Sequence, residues 1–304
     1  MPPLGQPQKY AQAWETGLYN GFSERTSARD STPLLERLIA GLTSDLKKLG
    51  SRKLNENETP ALILEAGAGL GSHALRLVQE GFSVIANEYS ELAAREIHHK
   101  RDQLTPSAQA RLQIAKGDIL DCLRSLAEES IAGFYAHSLV HTFSEDERKL
   151  LYTEIRRVQP QGGIIAVSFK AYGDYVQNEK GNGVKPTEAG PVISDHAGRI
   201  SRLFVTDPFP LIRELQDADY QVFDTYWWDV PKNSSQNARD HPRSQTEGMT
   251  RPFGARVARN IKAEHFDLGV HHQSQTDGND FIKNRIEYRK FVGLIAQKTN
   301  GEKR

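Results

Sequence analysis

The sequence predicts an α/β fold built on a doubly wound, mostly parallel sheet, and three observations predict it. The apolar run Ala61-Leu62-Ile63-Leu64 passes through Glu65-Ala66 into Gly67-Ala68-Gly69-Leu70-Gly71, and the helix-like segment 72–78 follows. That order is a strand, a tight turn and a helix. The next apolar run, 83–86, ends on Asn87-Glu88-Tyr89, which sets a carboxylate 17 residues after Gly71. Beyond it, strand-like and helix-like segments alternate along most of the chain, the pattern of a parallel sheet with helices on both faces.

The elements follow in order. Residues 1–32 are polar but carry Tyr10, Trp14, Tyr19 and Phe22, the composition of an amphipathic amino-terminal cover. Ser31-Thr32-Pro33 then opens a helix over 34–49, because Pro suits the first helical position after a Thr cap. A polar linker spans 51–59. Apolar and β-branched runs predict strands at 61–65, 83–87, 112–116, 132–138, 163–169, 220–229 and 288–297. Amphipathic segments predict helices at 72–80, 90–102, 121–128, 144–157 and 207–217. The expected organisation is a helical cover over 1–59 and an α/β domain over 60–304, interrupted by an insertion at 231–287. The insertion is too long for an inert loop, and helix is expected around 253–264.

Glycines in such a turn let the backbone approach a nucleoside-sized ligand at the carboxyl end of the first strand. Their spacing, two and two, departs from the G-x-G-x-x-G dinucleotide fingerprint and disfavours a pyrophosphate site. Glu88 stands where doubly wound nucleotide folds hydrogen-bond a ribose diol. Lys116-Gly117-Asp118-Ile119 brings a further acid to the end of the third strand.

Together these residues resemble the class I S-adenosylmethionine-dependent methyltransferases. Glu65 to Gly71 is similar to their glycine-rich first motif, Glu88 to the ribose-binding acid and Gly117-Asp118-Ile119 to the adenine-side turn. Residues 134–143 (Phe-Tyr-Ala-His-Ser-Leu-Val-His-Thr-Phe) resemble the fourth-strand motif of small-molecule members, and Gln159-Pro160-Gln161-Gly162-Gly163 the turn before the fifth strand. Within the superfamily the pattern is most similar to the tellurite-resistance-type branch. The resemblance implies a Rossmann-like fold of seven strands, the last antiparallel, with S-adenosyl-L-methionine as cofactor. It further implies a cofactor site made by Glu65, Gly67, Ala68, Gly69, Gly71, Glu88, Tyr89, Asp118, Ile119 and Ser138. In that site Glu88 would orient the ribose, Asp118 and Ile119 the adenine, and the 67–71 backbone the methionine moiety.

Candidate catalytic groups lie where the fourth strand ends. An imidazole at His137 or His141 titrates near the pH at which a hydroxyl, thiol or amine must lose a proton; the alternative is packing. Trp14 and Tyr19 are candidate substrate contacts through their aromatic faces. Lys170, Arg199 and Arg202, around the glycine-rich loop after the fifth strand, are candidates for holding an anionic acceptor. His265, His271 and His272 match no zinc spacing, so no metal is expected.

Composition bounds the rest. With 39 basic and 39 acidic residues in 304, no global charge draws the chain to nucleic acid or anionic lipid. The segment 231–290 carries eleven Lys or Arg against seven Asp or Glu, the balance of a solvated insertion or a docking surface. The single cysteine, Cys122, excludes an internal disulfide and suits a reducing compartment. No apolar run is long enough to span a bilayer, and no secretory signal is apparent, so a cytoplasmic location is expected. The leading function is methyl transfer to a small-molecule acceptor. The alternatives are methylation of a protein or peptide, and a non-catalytic cofactor-binding module. The sequence does not constrain the oligomeric state.

Overall fold

In the computed structural model of the chain, residues 32–48, 61–173, 184–194, 201–231 and 288–299 are described, together with Gln8. Helix α1 (Pro33–Lys48) starts as its Thr-Pro signal predicts, with the Leu35 amide donating to Thr32 Oγ1. The α/β succession follows: β1 (Leu62–Ala66), α2 (Ser72–Gln79), β2 (Ser83–Glu88), α3 (Glu91–Arg101), α4 (Pro106–Ala110), β3 (Leu112–Lys116), α5 (Ile119–Ser125), β4 (Gly133–Ala136), α6 (Glu145–Val158) and β5 (Ile164–Ala171). Short strands β6 (Val184–Lys185), β7 (Val192–Ser194) and β8 (Ser201–Val205) come next, then α7 (Phe209–Asp217), β9 (Tyr220–Pro231) and β10 (Tyr288–Lys298).

The main sheet runs β3-β2-β1-β4-β5-β10-β9. The strands through β5 are parallel, and β10 lies antiparallel to both β5 and β9. This is the expected seven-stranded arrangement, and strand order reverses between β1 and β4, where doubly wound sheets open a crevice. Three further strands were not expected. β8 pairs in parallel with the last two residues of β5, and β7 and β6 add to it antiparallel. Their two to five residues, among Pro186, Gly190 and Pro191, are too short and interrupted to show a periodicity. They replace part of the loop predicted after the fifth strand.

Boundaries shift locally. Helix α5 begins at Ile119 rather than 121, because Asp118 caps it by accepting the Leu120 amide at 2.9 Å. Strand β4 stops at Ala136, and the chain turns into a 3₁₀ segment at Val140–Thr142. Helix α6 starts with a full capping box between Ser144 and Glu147. The amino-terminal cover before residue 32, and the insertion with its helix predicted around 253–264, lie outside the described residues.

The sheet has two distinct faces. Leu64, Phe134, Ile165, Val167 and Phe169 pack under α5, α6 and α7. Buried there, Arg148 of α6 forks onto Glu214 of α7, Nε to Oε2 at 2.7 Å and Nη2 to Oε1 at 2.6 Å, with Nη1 donating to the Phe143 carbonyl. The other face receives α1, whose Leu34, Leu35 and Leu38 are fully buried, each burial contributing about 1.5–3 kcal/mol. On that face the register aligns a row across five strands, Glu65, Tyr135, Ala166, Ile295 and Asp224. One step nearer the carboxyl edge it aligns Ser168, Gly293 and Tyr226, and beyond them Lys170, Phe291 and Trp228. Among the described residues, no helix is long and apolar enough to cross a membrane.

Candidate functional site

The glycine turn leaves β1 at the sheet's carboxyl edge. Gly67 adopts φ 66° and Gly71 φ 78°, the left-handed region that disfavours a side chain. A Cβ on Gly67 would lie 3.2 Å from Leu139 Cδ2, and one on Gly71 2.9 Å from Ile97 Cγ1. The turn is anchored by the Ala68 amide donating to the Asn87 carbonyl at 2.9 Å and by Lys100 Nζ donating to the Leu70 carbonyl at 2.9 Å.

Glu88, at the end of β2, brackets this turn. Its Oε2 accepts the Gly69 amide at 2.7 Å and its Oε1 the Ser90 amide at 2.8 Å. Burial raises the carboxyl pKa above the usual carboxylate range, Glu65 nearby adds to the rise, and the amide bonds oppose it. Asn87 beside it was not singled out from sequence. Its Nδ2 donates to the Ala115 and Gly117 carbonyls, both at 3.1 Å, which ties the end of β3 to β2 and sets Asp118 and Ile119 just beyond that tie. Tyr89, Ser90 and the start of α3 complete that side, with Tyr89 half-buried. The predicted cofactor residues from Glu65 to Ile119 therefore converge on one edge of the sheet.

Glu65 lies under the turn, 2% exposed. Its Oε1 is 3.6 Å from His73 Nδ1, and Oε2 has no hydrogen-bond partner among the described residues. The His73 ring stands edge-on to Tyr135 at 5.3 Å and to His137 at 5.5 Å, and the Tyr135 hydroxyl shares a hydrogen bond of 3.0 Å with Thr32 Oγ1 at the start of α1.

At the end of β4, Ser138 takes a left-handed φ of 57°, an uncommon conformation for a residue with a side chain. Its amide donates to Ser168 Oγ at 2.9 Å, and the same oxygen lies 2.9 Å from His137 Nδ1. Ser168, inside β5, is fully buried and was invisible to motif reading, since only the register with β4 brings it here. The His137 ring contacts Phe291 at 5.0 Å and stacks toward Trp228 at 6.0 Å, while Lys170 Nζ sits 4.2 Å over the Phe291 ring. Trp228 also stacks on Tyr226, over which Arg37 of α1 places its guanidinium while pairing with Asp224.

His141, in the 3₁₀ turn, is buried and its Nδ1 has no hydrogen-bond partner among the described residues. Burial, then the charges of Lys170 and Arg202 and the His137 ring, hold its pKa well below the usual histidine range, so it is neutral. Strand β8 is what carries Arg202 to this place. The structure thus assembles His137, His141, Lys170 and Arg202 at the edge beside the glycine turn. Trp14, Tyr19 and Arg199 lie outside the described residues.

A class I cofactor fits this edge on two observations. Gly67 is solvent-exposed in the turn beside Glu88, so backbone rather than side chain faces the crevice. The Oε2 of buried Glu65, without a hydrogen-bond partner among the described residues, offers an acceptor to a cationic amine such as that of a methionine moiety.

Residues 63–163 match the family model described as a methyltransferase domain. Glycine/sarcosine N-methyltransferase of Parasynechococcus marenigrum (strain WH8102) is 29% identical over 140 residues, which cover 42% of this chain and 48% of that protein. The chain thus spans about half the length of this curated relative. Among solved structures, 1,6-didemethyltoxoflavin-N1-methyltransferase of Burkholderia thailandensis aligns over 99% of this chain and 93% of its own, with a TM-score of 0.51 and 14% identity. The fold is the Rossmann-like fold of methyltransferases.

Proposed function

We propose that the chain transfers a methyl group from S-adenosyl-L-methionine to a small-molecule acceptor bearing negative charge or a polar head group. The observation that carries this reading is the bracket between Glu88 and the Gly69 amide at the switch point of the sheet. Amides of Gly69, Ser90 and Tyr89 bond this carboxylate, and of its four acceptor sites one remains for a ribose hydroxyl. Asp118 and Ile119 take the adenine side, the 67–71 backbone and Glu65 the methionine side, and Ala68, Tyr89 and Ser138 line the remainder. When bound, the cofactor supplies a sulfonium methyl whose bond to sulfur breaks with both electrons left on sulfur as the acceptor's lone pair bonds to carbon. The protein's share is alignment and exclusion of water, with proximity alone worth several kcal/mol of barrier.

The acceptor side is formed by His137, His141, Lys170 and Arg202. Two cations beside two imidazoles favour an anionic group such as a carboxylate. The name of the curated relative, a glycine/sarcosine N-methyltransferase, supports an acceptor that joins an amine to a carboxylate. Trp14, Tyr19 and Arg199 extend the acceptor contacts, and the cover over 1–59 and the insertion at 231–287 select among acceptors. An affinity with the tellurite-resistance-type branch rests on the sequence pattern alone.

Calorimetric titration with S-adenosylhomocysteine and with NAD tests the cofactor. Binding of the first and not the second is expected, and the converse reverses the reading. A methyl-transfer screen with labelled cofactor against pooled amino acids, other metabolites and peptides then tests the acceptor. Label appearing only on peptides would move the function to protein methylation, and binding without any transfer would make the chain a cofactor-binding module.

A further inference from the structure

Two buried hydrogen-bond donors stand side by side on β9. Tyr226 and Trp228 are 4% and 9% exposed, and their rings stack at 5.2 Å. Among the described residues, neither the Tyr226 hydroxyl nor the Trp228 Nε1 has a hydrogen-bond partner. A donor that is buried and unpaired is destabilising, so two of them in one stack call for an acceptor from outside the fold.

The Tyr226 ring is held across the sheet toward the site. It lies on Gly293 of β10, where a Cβ would fall 2.8 Å from Cζ and 2.9 Å from the hydroxyl oxygen. Gly293 is not among the left-handed glycines, so it is the missing side chain that gives the ring this place. Gly293 pairs with Ser168 of β5, whose Oγ receives the Ser138 amide at the end of β4. The phenol thus runs from β9 over β10 toward the strand that carries Ser168. Arg37 of α1 fixes the ring, its guanidinium 4.2 Å from the centroid while it pairs with Asp224. Trp228, two residues nearer the carboxyl edge, stacks also on Phe291 at 5.0 Å and toward the His137 ring at 6.0 Å. Burial, with the Tyr135 phenol close by, pushes the Tyr226 hydroxyl above the ordinary tyrosine range against the pull of Arg37, so it keeps its hydrogen. The Tyr135 hydroxyl itself is engaged with Thr32 Oγ1.

We infer that Tyr226 and Trp228 bind the molecule to be methylated, the phenol O–H and the indole N–H receiving the oxygens of its carboxylate. This rests on the methyltransferase reading and gives the acceptor site two residues from a strand that no motif marks. An indole nitrogen only donates, and a neutral phenol beside it donates without cost, so the pair selects oxygen over an ammonium group. A carboxylate offers two oxygens to two donors, in bonds strengthened by its charge. No proton is transferred in this contact, and neither group acts on the nucleophile.

Nitrogen-15 spectra of the full chain, labelled at tryptophan and saturated with S-adenosylhomocysteine, read the Trp228 indole N–H on the unmutated protein, with Trp228→Phe assigning the signal. Acetate is the probe. It is expected to move that signal downfield and saturably; a signal that stays in place overturns the inference. Tyr226→Phe, which removes one oxygen and keeps the ring, is expected to weaken acetate binding about tenfold, the loss of one hydrogen bond to a charged group. Without ligand the same variant should melt at the parent's temperature or above it, because a hydroxyl with no partner leaves nothing unpaired behind. A lower melting temperature would show the hydroxyl bonded within the fold, to the protein or to an internal water, and unchanged acetate affinity would make it a packing group. Either result sinks the acceptor role. The titration is repeated without S-adenosylhomocysteine, whose own binding is followed by calorimetry, so a failure of the methyltransferase reading is seen apart from a failure of this one.

Discussion

Glu88 reaches back from the end of β2 to accept the amide of Gly69 at 2.7 Å, so the acid that faces the expected ribose also shapes the turn that faces the expected methionine. Its second oxygen is taken by the Ser90 amide at the start of α3. One side chain therefore fixes three parts of the crevice. Replacing it removes more than a ligand contact.

Glu88→Ala is expected to weaken S-adenosylhomocysteine binding by about 1–3 kcal/mol, the range for charge-assisted hydrogen bonds lost to a ligand. It should also lower the melting temperature, because the half-buried Gly69 amide and the buried Ser90 amide lose their partner. Calorimetry and thermal unfolding measure the two effects. Equal affinity in variant and parent would remove Glu88 from the ribose role.

Gly67 and Gly71 separate binding from folding. Both hold a left-handed φ, but Gly67 is exposed in the crevice and Gly71 is buried against Ile97. Gly71→Ala forces a Cβ to within 2.9 Å of the fully buried Ile97, and with the backbone strain a loss of about 2–4 kcal/mol of stability is expected. In Gly67→Ala the added Cβ meets only the half-buried Leu139 side chain, at 3.2 Å, so stability should fall by only about 1–2 kcal/mol while cofactor affinity falls more than tenfold. Urea unfolding and calorimetry on both variants check the contrast. Similar profiles for the two would show that the turn acts only as a structural corner.

The difference between what motif reading found and what it missed follows the range of the interactions. The turn, Glu88, Gly117 and the cap of α1 are local, and their residue types state their backbone geometry. Ser168, Asn87 and the group formed by Tyr226, Trp228 and Phe291 act across strands, where register decides who meets whom. Nothing in the segment around Ser168 distinguishes it from a strand serine on the other face. Arg202 was suspected, following the glycine-rich loop, but with no strand expected there. Its strand β8 is five residues long and forms because the end of β5 extends beyond β4 and leaves an edge to pair.

The Arg148–Glu214 fork joins α6 to α7 beneath the sheet, with both partners nearly inaccessible. Removing one member strands a buried charge, and Glu214→Ala is expected to destabilise the protein by about 3–5 kcal/mol. The double replacement Arg148→Met with Glu214→Leu should recover most of that loss, since desolvation weighs against the ion pair itself. Chemical denaturation of the three proteins gives the comparison. A loss under about 1 kcal/mol in the single variant would mean that water reaches the pair.

His141 makes stability depend on pH in a window fixed by its burial. In the unfolded chain its imidazole takes a proton near the ordinary value of 6.5, while in the fold burial and the nearby cations hold the pKa well below that. Below 6.5 the unfolded state therefore binds more protons than the native state, and stability falls as pH drops toward the folded value. Above 6.5 the group contributes no slope. The expected slope approaches about 1.4 kcal/mol per pH unit within the window. His141→Gln is neutral in both states, so its urea-unfolding free energy should decline less steeply than the parent's between about pH 6.5 and 5. The two curves should run parallel above that range. Parallel curves throughout would show that His141 gains a proton as readily in the fold as outside it. A solvent path to Nδ1, and not a dry packing site, would then lie behind the 3₁₀ turn.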